Sequence, residues 1–194
     1  MTDVPADDVR RAQLAFPGGL RVRLRWAGSG QGPAVFALSE VGGRLEEHGG
    51  LVSPEFERLC RAEIRVEGPG GAWTARLASP IFDEPRPVFR DLAGLLAVGY
   101  GFVTYAFDAR TGELRWSHRS RTPLVGVLSS SRLDHLIVQS QLETFALEDG
   151  GEVRWRVVHS DAAATAELVG GRLVLSSYEG LLQVLDPSTG RAAG

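Results

Sequence analysis

Tyr105 to Trp116, YAFDARTGELRW, decides how the rest of the chain reads. An apolar run ends at Asp108, Thr111 and Gly112 supply turn chemistry, and Leu114 and Trp116 then alternate with Glu113 and Arg115. That pattern predicts a strand, a tight turn and a second strand. The phrase returns as Phe145 to Trp155, FALEDGGEVRW, and a third time, cut short, as Gln183 to Gly190, QVLDPSTG. The step from Trp116 to Trp155, and twice that step from Gly112 to Gly190, set a period of roughly 40 residues, the range in which supersecondary units stack into arrays. A further strand precedes each phrase, at Leu95 to Val98, Leu136 to Val138 and Leu173 to Leu175. Each period thus holds at least three short consecutive strands, which predicts an antiparallel meander and not a helical repeat.

The pattern apolar-Ala-apolar-Asp-x-x-Thr-Gly-x-apolar-x-Trp resembles the repeat of the PQQ-like, or quinoprotein-dehydrogenase-like, β-propellers, and Ala106 to Trp116 matches it throughout. The second copy keeps Ala146, Gly151 and Trp155 with a turn one residue shorter, and the third keeps Asp186, Thr189 and Gly190. The resemblance covers roughly residues 90 to 190 and implies an all-β fold of propeller blades. It does not imply an activity, because one fold hosts many functions. The family has about seven or eight blades, so 194 residues imply a small propeller of about four blades, or a partial one.

Outside that region the reading is a short N-terminal arm (1–18), a degenerate first β-sheet (19–79) and the repeat blades (80–194). The arm is read as a short amphipathic helix or a loose segment from Asp7 to Phe16. Leu20 to Trp26, LRVRLRW, is the clearest strand, with Leu20, Val22, Leu24 and Trp26 on one face and Arg21, Arg23 and Arg25 on the other. Its ending repeats the Leu114-Arg115-Trp116 strand, which the last copy lacks. The expectation is therefore that this strand closes the final blade and removes an open edge. The alternative is that it begins an N-terminal sheet of its own. On the closure reading, Trp26, Trp73, Trp116 and Trp155 fall one per blade, in sheets at about 33–79, 86–119, 123–159 and 163–190 with 19–26 added. A competing reading makes residues 1–80 a separate β-rich domain. Smaller features are a loop at Gly28-x-Gly30-x-Gly32, a hairpin of Val35 to Leu38 with Arg44 to Glu47, a short helix from Ser53 to about Arg61, and a hairpin of 62–67 with 72–77.

Composition narrows function. A formal charge of −3 gives no global pull toward nucleic acid or anionic membrane. The chain has neither Lys nor Asn, which excludes Schiff-base chemistry and a phosphate-binding P-loop lysine. No apolar run approaches the roughly 20 residues that span a bilayer. The acidic N-terminal stretch and single Cys60 point to a cytoplasmic protein. His48, His118, His135 and His159 lie in different units without metal-ligand spacing, and no GxSxG elbow is present.

Asp108 and Asp186 are read as turn-fixing carboxylates, and Gly112, Gly151 and Gly190 as positive-φ turn residues. The four tryptophans are read as packing between sheets. The resemblance implies a quinone cofactor only where vicinal cysteines and calcium ligands exist, and with Cys60 alone no cofactor is expected. Arg21, Arg23 and Arg25, with Arg115 and Arg154, are the candidate partner-binding residues. The competing explanation is a solvated strand face paired to acids such as Glu113 and Glu152. The resulting expectation is a non-catalytic platform for a protein partner, an adaptor or an immunity or inhibitor-type protein, with pairing into a homo-oligomer as a further option. The alternative is a small-ligand sensor or hydrolase with His135, an acid and a Ser gathered in a central cavity.

Overall fold

The computed structural model describes residues 9–28, 45–48 and 59–193, with only the backbone given for 45–48. It contains 16 strands among the described residues. They divide into two compact units, residues 1–85 with the turn Asp108–Glu113, and residues 86–107 with 114–194.

In the first unit one mixed sheet has the order β1-β2-β4-β5-β3. Its strands are β1 (Arg10–Phe16), β2 (Leu20–Ala27), β3 (Leu45–His48), β4 (Cys60–Gly68) and β5 (Gly71–Ser79). The alternation of β2 buries Val22, Leu24 and Trp26 beside Ile64, Val66 and Leu77. All neighbours are antiparallel except β3, which runs parallel to β5.

Three expectations are corrected here. Residues 10–16 are not a helix or loose arm but a strand in full register with β2, from Arg10↔Trp26 to Phe16↔Leu20. The strand at 20–27 does not close the last sheet, because both of its edges are already taken, by β1 and by β4. Each backbone edge pairs once, so no edge is left for a distant sheet. It follows that Trp26 and Trp73 share one sheet and the fourth sheet contains no tryptophan. Arg61, placed at a helix end by sequence, lies within β4. Residues 53–58 of that helix, the 35–38 strand and most of the 28–32 glycine loop lie outside the described residues.

The second unit holds three sheets, each a meander. Their strands are β6 (Arg86–Arg90), β7 (Leu95–Tyr100), β8 (Val103–Asp108) and β9 (Leu114–Arg119); then β10 (Leu124–Leu128), β11 (His135–Ser140), β12 (Glu143–Glu148) and β13 (Val153–Val158); then β14 (Ala163–Val169), β15 (Arg172–Ser177) and β16 (Leu182–Leu185). These spans agree with the ranges read from the repeat for the last three sheets. The inner strands β7 and β11 are buried at every position, while β9 and β13 alternate. Continuous apolar runs such as Leu95-Leu96-Ala97-Val98 suit strands covered on both faces. One core joins Leu95, Ala106, Leu136, Val138 and Phe145, and a second joins Ile137, Leu173, Leu175 and Leu185 with Trp155 against them.

A single device recurs. The third residue of β5, β9 and β13 is a tryptophan, and its ring lies against a turn glycine: Trp73 under Gly112, Trp116 under Gly151, Trp155 under Gly190. Each glycine has positive φ, at 76°, 94° and 70°. A Cβ at Gly151 would stand 2.8 Å from Trp116 Cγ, so both backbone and space demand glycine there. Trp73 Nε1 donates to Ala109 O at 2.9 Å and Trp116 Nε1 donates to Asp149 O at 2.8 Å. The third instance differs, for the equivalent carbonyl of Pro187 is taken by His135 Nε2 at 2.9 Å, and Trp155 Nε1 is buried with no partner.

Two consequences can be measured by urea unfolding. Gly151→Ala should cost about 2–4 kcal/mol from strain and overlap with Trp116, whereas Gly126→Ala, with open space around it, should cost under about 1 kcal/mol. Trp116→Phe should cost about 1 kcal/mol more than Trp155→Phe, because only the former breaks a hydrogen bond and strands a carbonyl. Equal costs for the two would show that the indole bond contributes nothing.

Candidate functional site

Within the second unit the repeat sets polar side chains at equivalent strand ends and then varies them. In the third sheet Gln139, Ser140, Glu143 and Thr144 are all buried. Buried polar groups need partners, and this set supplies them. Gln139 Nε2 donates to Ser140 O at 2.5 Å and to Glu143 O at 3.3 Å, and Thr144 Oγ1 donates to Gln139 Oε1. With that proton committed, Thr144 Oγ1 accepts from His159 Nε2 at 2.6 Å. Glu143 faces Arg121 at 3.7 Å and Arg156 at 3.9 Å.

The fourth sheet keeps the pairing of the two equivalent strands, β15 with β16, and changes the residues, with three strands among the described residues in place of four. Strand register aligns Ser176 with Gln139, Leu182 with Thr144 and Gln183 with Phe145. A cleft of about 380 Å³ lies beside this more exposed set, and its lining includes His159, Asp161, Ser176, Leu181, Leu182 and Gln183. Asp161 Oδ1 accepts from Ala162 N at 2.7 Å, while Oδ2 is buried without a partner. Leu181 and Leu182 are 63% and 73% exposed at its rim, with Val158 and Tyr178 also exposed. The cleft therefore offers acceptors and a hydrophobic lip. Nothing in the sequence pattern alone pointed to it. The available signal was the loss of the repeat's Thr and aromatic residue at Leu182 and Gln183.

The residues singled out by sequence take other places. Arg21, Arg23 and Arg25 stand on one face of β2, opposite Glu67, Arg65 and Glu63 respectively. Arg23 pairs with Glu67 at 3.1 Å and Arg25 with Glu63 at 3.4 Å, so the acids answering them are Glu63 and Glu67, not Glu113 and Glu152. A groove of about 320 Å³ along β1 and β2 includes Arg11, Gln13, Arg23 and Arg25 in its lining. Arg115 and Arg154 belong to the second unit. Arg115 Nη1 donates to Ala93 O at 3.3 Å, and Arg154 reaches Asp134 at 2.5 Å and Glu148 at 3.6 Å. Since β2 does not close the last sheet, the geometry that would have grouped these arginines in one row is absent.

Asp108 Oδ1 accepts from Arg110 N and Thr111 N at 3.0 and 2.9 Å, and Asp186 Oδ1 accepts from Ser188 N at 2.7 Å. These are Asx-type turn bonds. His135 is 1% exposed, and its Nδ1 faces Asp134 Oδ1 at 2.9 Å. The Arg154 guanidinium, and then His135, hold the Asp134 carboxyl well below the usual carboxylate range. Arg90, which no sequence pattern marked, is 9% exposed and grips Asp149 through two nitrogens at 2.5 and 3.2 Å while donating to Leu133 O and His135 O at 3.1 Å. Among the described residues no three His, Cys, Asp or Glu side chains converge as metal ligands.

Burial lowers the pKa of His118 and of His159; Arg156 adds to it at His118, while Gln183 opposes it at His159. A depressed imidazole pKa means that below about pH 6.5 the unfolded chain binds more protons than the folded one. Stability should therefore be full at pH 7.5 and fall as pH drops toward 5. His118→Gln and His159→Gln, compared by urea midpoint at about pH 7.5 and 5, should each flatten that fall. An unchanged slope in both would rule the two histidines out as its source.

Known proteins share this architecture. Residues 99–193 match a family model described as outer membrane protein assembly factor BamB. No curated protein matches the chain. Among solved structures, BamB from Moraxella catarrhalis is similar at TM-score 0.53 and 16% identity, covering 100% of this chain and 51% of that one. A fragment of HIRA is similar at TM-score 0.51 and 12% identity, covering 96% and 52%. The chain thus spans about half the length of each. At such identities the likeness shows the fold, which is that of β-propeller sheets. With the repeat phrase, two of the three tryptophan and glycine pairs and the family match all falling on residues 99–193, this stretch belongs to the PQQ-like β-propeller repeat family.

Proposed function

We propose that the chain is a non-catalytic platform that binds a protein partner, acting as an adaptor or as an inhibitor or immunity-type protein. The observation that carries this is the exposed apolar lip of the fourth sheet, Leu181 and Leu182 with Tyr178 nearby, on a sheet whose Leu173, Leu175 and Leu185 are buried. Exposed apolar residues clustered on a stiff sheet mark interaction surfaces. The similarity to BamB, an assembly factor by its family's description, supports the same reading.

A second reading, a small-ligand sensor, has its own support in the cleft of about 380 Å³ and the unpartnered Asp161 Oδ2, since pockets of this size with a few polar groups hold small molecules. Hydrolysis has less support. The ring of His159 is bonded to Thr144 and Gln183, and that of His135 is directed at the Pro187 carbonyl. Neither presents a base to a serine hydroxyl.

The purified chain used as bait in an extract of its native cells, with mass spectrometry of what is retained and light scattering of the complex, separates the two. One stoichiometric protein partner is expected, lost with Leu181→Asp/Leu182→Asp. A monomer that retains no protein but is stabilised by a metabolite would replace the platform with the sensor.

A further inference from the structure

Cross-strand register arranges the charges of the first sheet in rows, on the face opposite buried Val22, Leu24 and Trp26. One row reads Arg11↔Arg25↔Glu63↔Arg76↔Glu47, the next Gln13↔Arg23↔Arg65↔Thr74, and the third Ala15↔Arg21↔Glu67↔Ala72. In these three rows six arginines stand with three glutamates, although the whole chain carries a formal charge of −3. The surplus lies on β1 and β2, whose sequences RRAQLAF and LRVRLRWA contain no acid.

Two of the direct neighbours are pairs of arginines, Arg11↔Arg25 and Arg23↔Arg65. Like charges directly opposite each other work against strand pairing. The second pair is relieved within the sheet, for Glu67 Oε1 stands 3.1 Å from Arg23 Nη1 and 3.0 Å from Arg65 Nε. One carboxylate oxygen thus serves two guanidiniums. The first pair has no such acid between its members: Arg25 reaches Glu63 at 3.4 Å, and among the described residues no acid pairs with Arg11, nor with Arg21. Both of these arginines are exposed. The groove of about 320 Å³ lies at this unrelieved pair, lined by Arg11, Gln13, Arg23 and Arg25. Its walls come from β1 and β2, which pair with each other from Arg10↔Trp26 to Phe16↔Leu20, so its charge is set by these side chains and not by an unpaired edge.

We propose that this groove binds a small anion bearing two or more carboxylates, one of them seated between Arg11 and Arg25 as the Glu67 carboxylate is seated between Arg23 and Arg65. The site is separate from the apolar lip of the fourth sheet and does not rest on the platform reading. A guanidinium offers a planar fork of donors that takes a carboxylate through two parallel N–H···O bonds. Gln13, directly opposite Arg23, adds an amide donor, and the unpaired Arg21 leaves positive charge for a second carboxylate. A groove of this volume suits a small molecule. A nucleic acid fits less well, because Glu63 and Glu67 share the face and the chain as a whole is negative. The oxyanion that this sheet already holds between two arginines is itself a carboxylate.

The probes are citrate and succinate, titrated into the full chain at about 0.15 M sodium chloride, where distant surface charges are screened, and followed by calorimetry and by the urea midpoint. Saturable one-to-one binding of citrate that raises the midpoint is expected. Arg11→Gln should weaken it at least about tenfold, with a ligand-free midpoint unchanged or higher because a like-charge pair is gone. Arg172→Gln, which removes the same charge from an exposed position in the other unit, should bind as the parent does. Gln13→Glu supplies the groove with a carboxylate of its own, and should raise the ligand-free midpoint and abolish citrate binding. Equal weakening by Arg11→Gln and Arg172→Gln would reduce the effect to net charge and overturn the proposal. So would inorganic phosphate binding as tightly as citrate, or saturable binding by neither citrate nor succinate. A hexaglutamate peptide that binds where citrate does not would also overturn it, assigning the groove to the acidic side chains of a protein.

Discussion

The approach of a tryptophan ring to a turn glycine is the constraint on which the repeat depends. Gly151 lies so close to Trp116 that a single methyl group would collide with the indole. The same backbone position has a φ that side chains resist. The turn is thus specified twice, by conformation and by contact, and the indole N–H bond to Asp149 O adds direction. Because the tryptophan is always the third residue of its strand, the turn it touches is set in register with that strand. The interaction ties local sequence, a four- or five-residue turn, to packing at a distance of about one repeat.

Polar struts complete this packing inside the second unit. Arg90 engages the Asp149 side chain while donating to two main-chain carbonyls. It holds from the side the same turn that Trp116 holds from below. A guanidinium suits that task because its fork of donors satisfies several acceptors at once. At the next turn His135 substitutes for the tryptophan as donor to Pro187 O, leaving Trp155 to act by shape alone. Repeat equivalence therefore fixes which carbonyl is satisfied but not which side chain satisfies it.

The repeat relaxes in the fourth sheet. Thr144 and Phe145 in the third sheet belong to a closed network and a core, while Leu182 and Gln183 at the same positions border an open cleft. The side chains differ, and among the described residues the fourth sheet has three strands where the third has four. The ladder between β15 and β16 is kept while these side chains change.

Sequence alone determined the element type, the period and the sheet boundaries over residues 86–185, since strand alternation and turn chemistry are local and the phrase repeats. It also marked Gly112, Gly151 and Gly190, whose positive φ is a property of the turn itself. It did not determine the partners of Leu20–Ala27: alternation reports which face is buried, not which strand lies alongside, and the resemblance of LRW endings was misleading there. Arg10 to Phe16 pairs with β2 although its own pattern reads weakly, because a strand that meets a strong neighbour borrows its register. Arg90 and the cleft beside His159 were invisible for the same reason. Their roles come from residues about 45 to 60 positions away or from side chains gathered from several strands and loops, and only the tertiary structure brings those facts together.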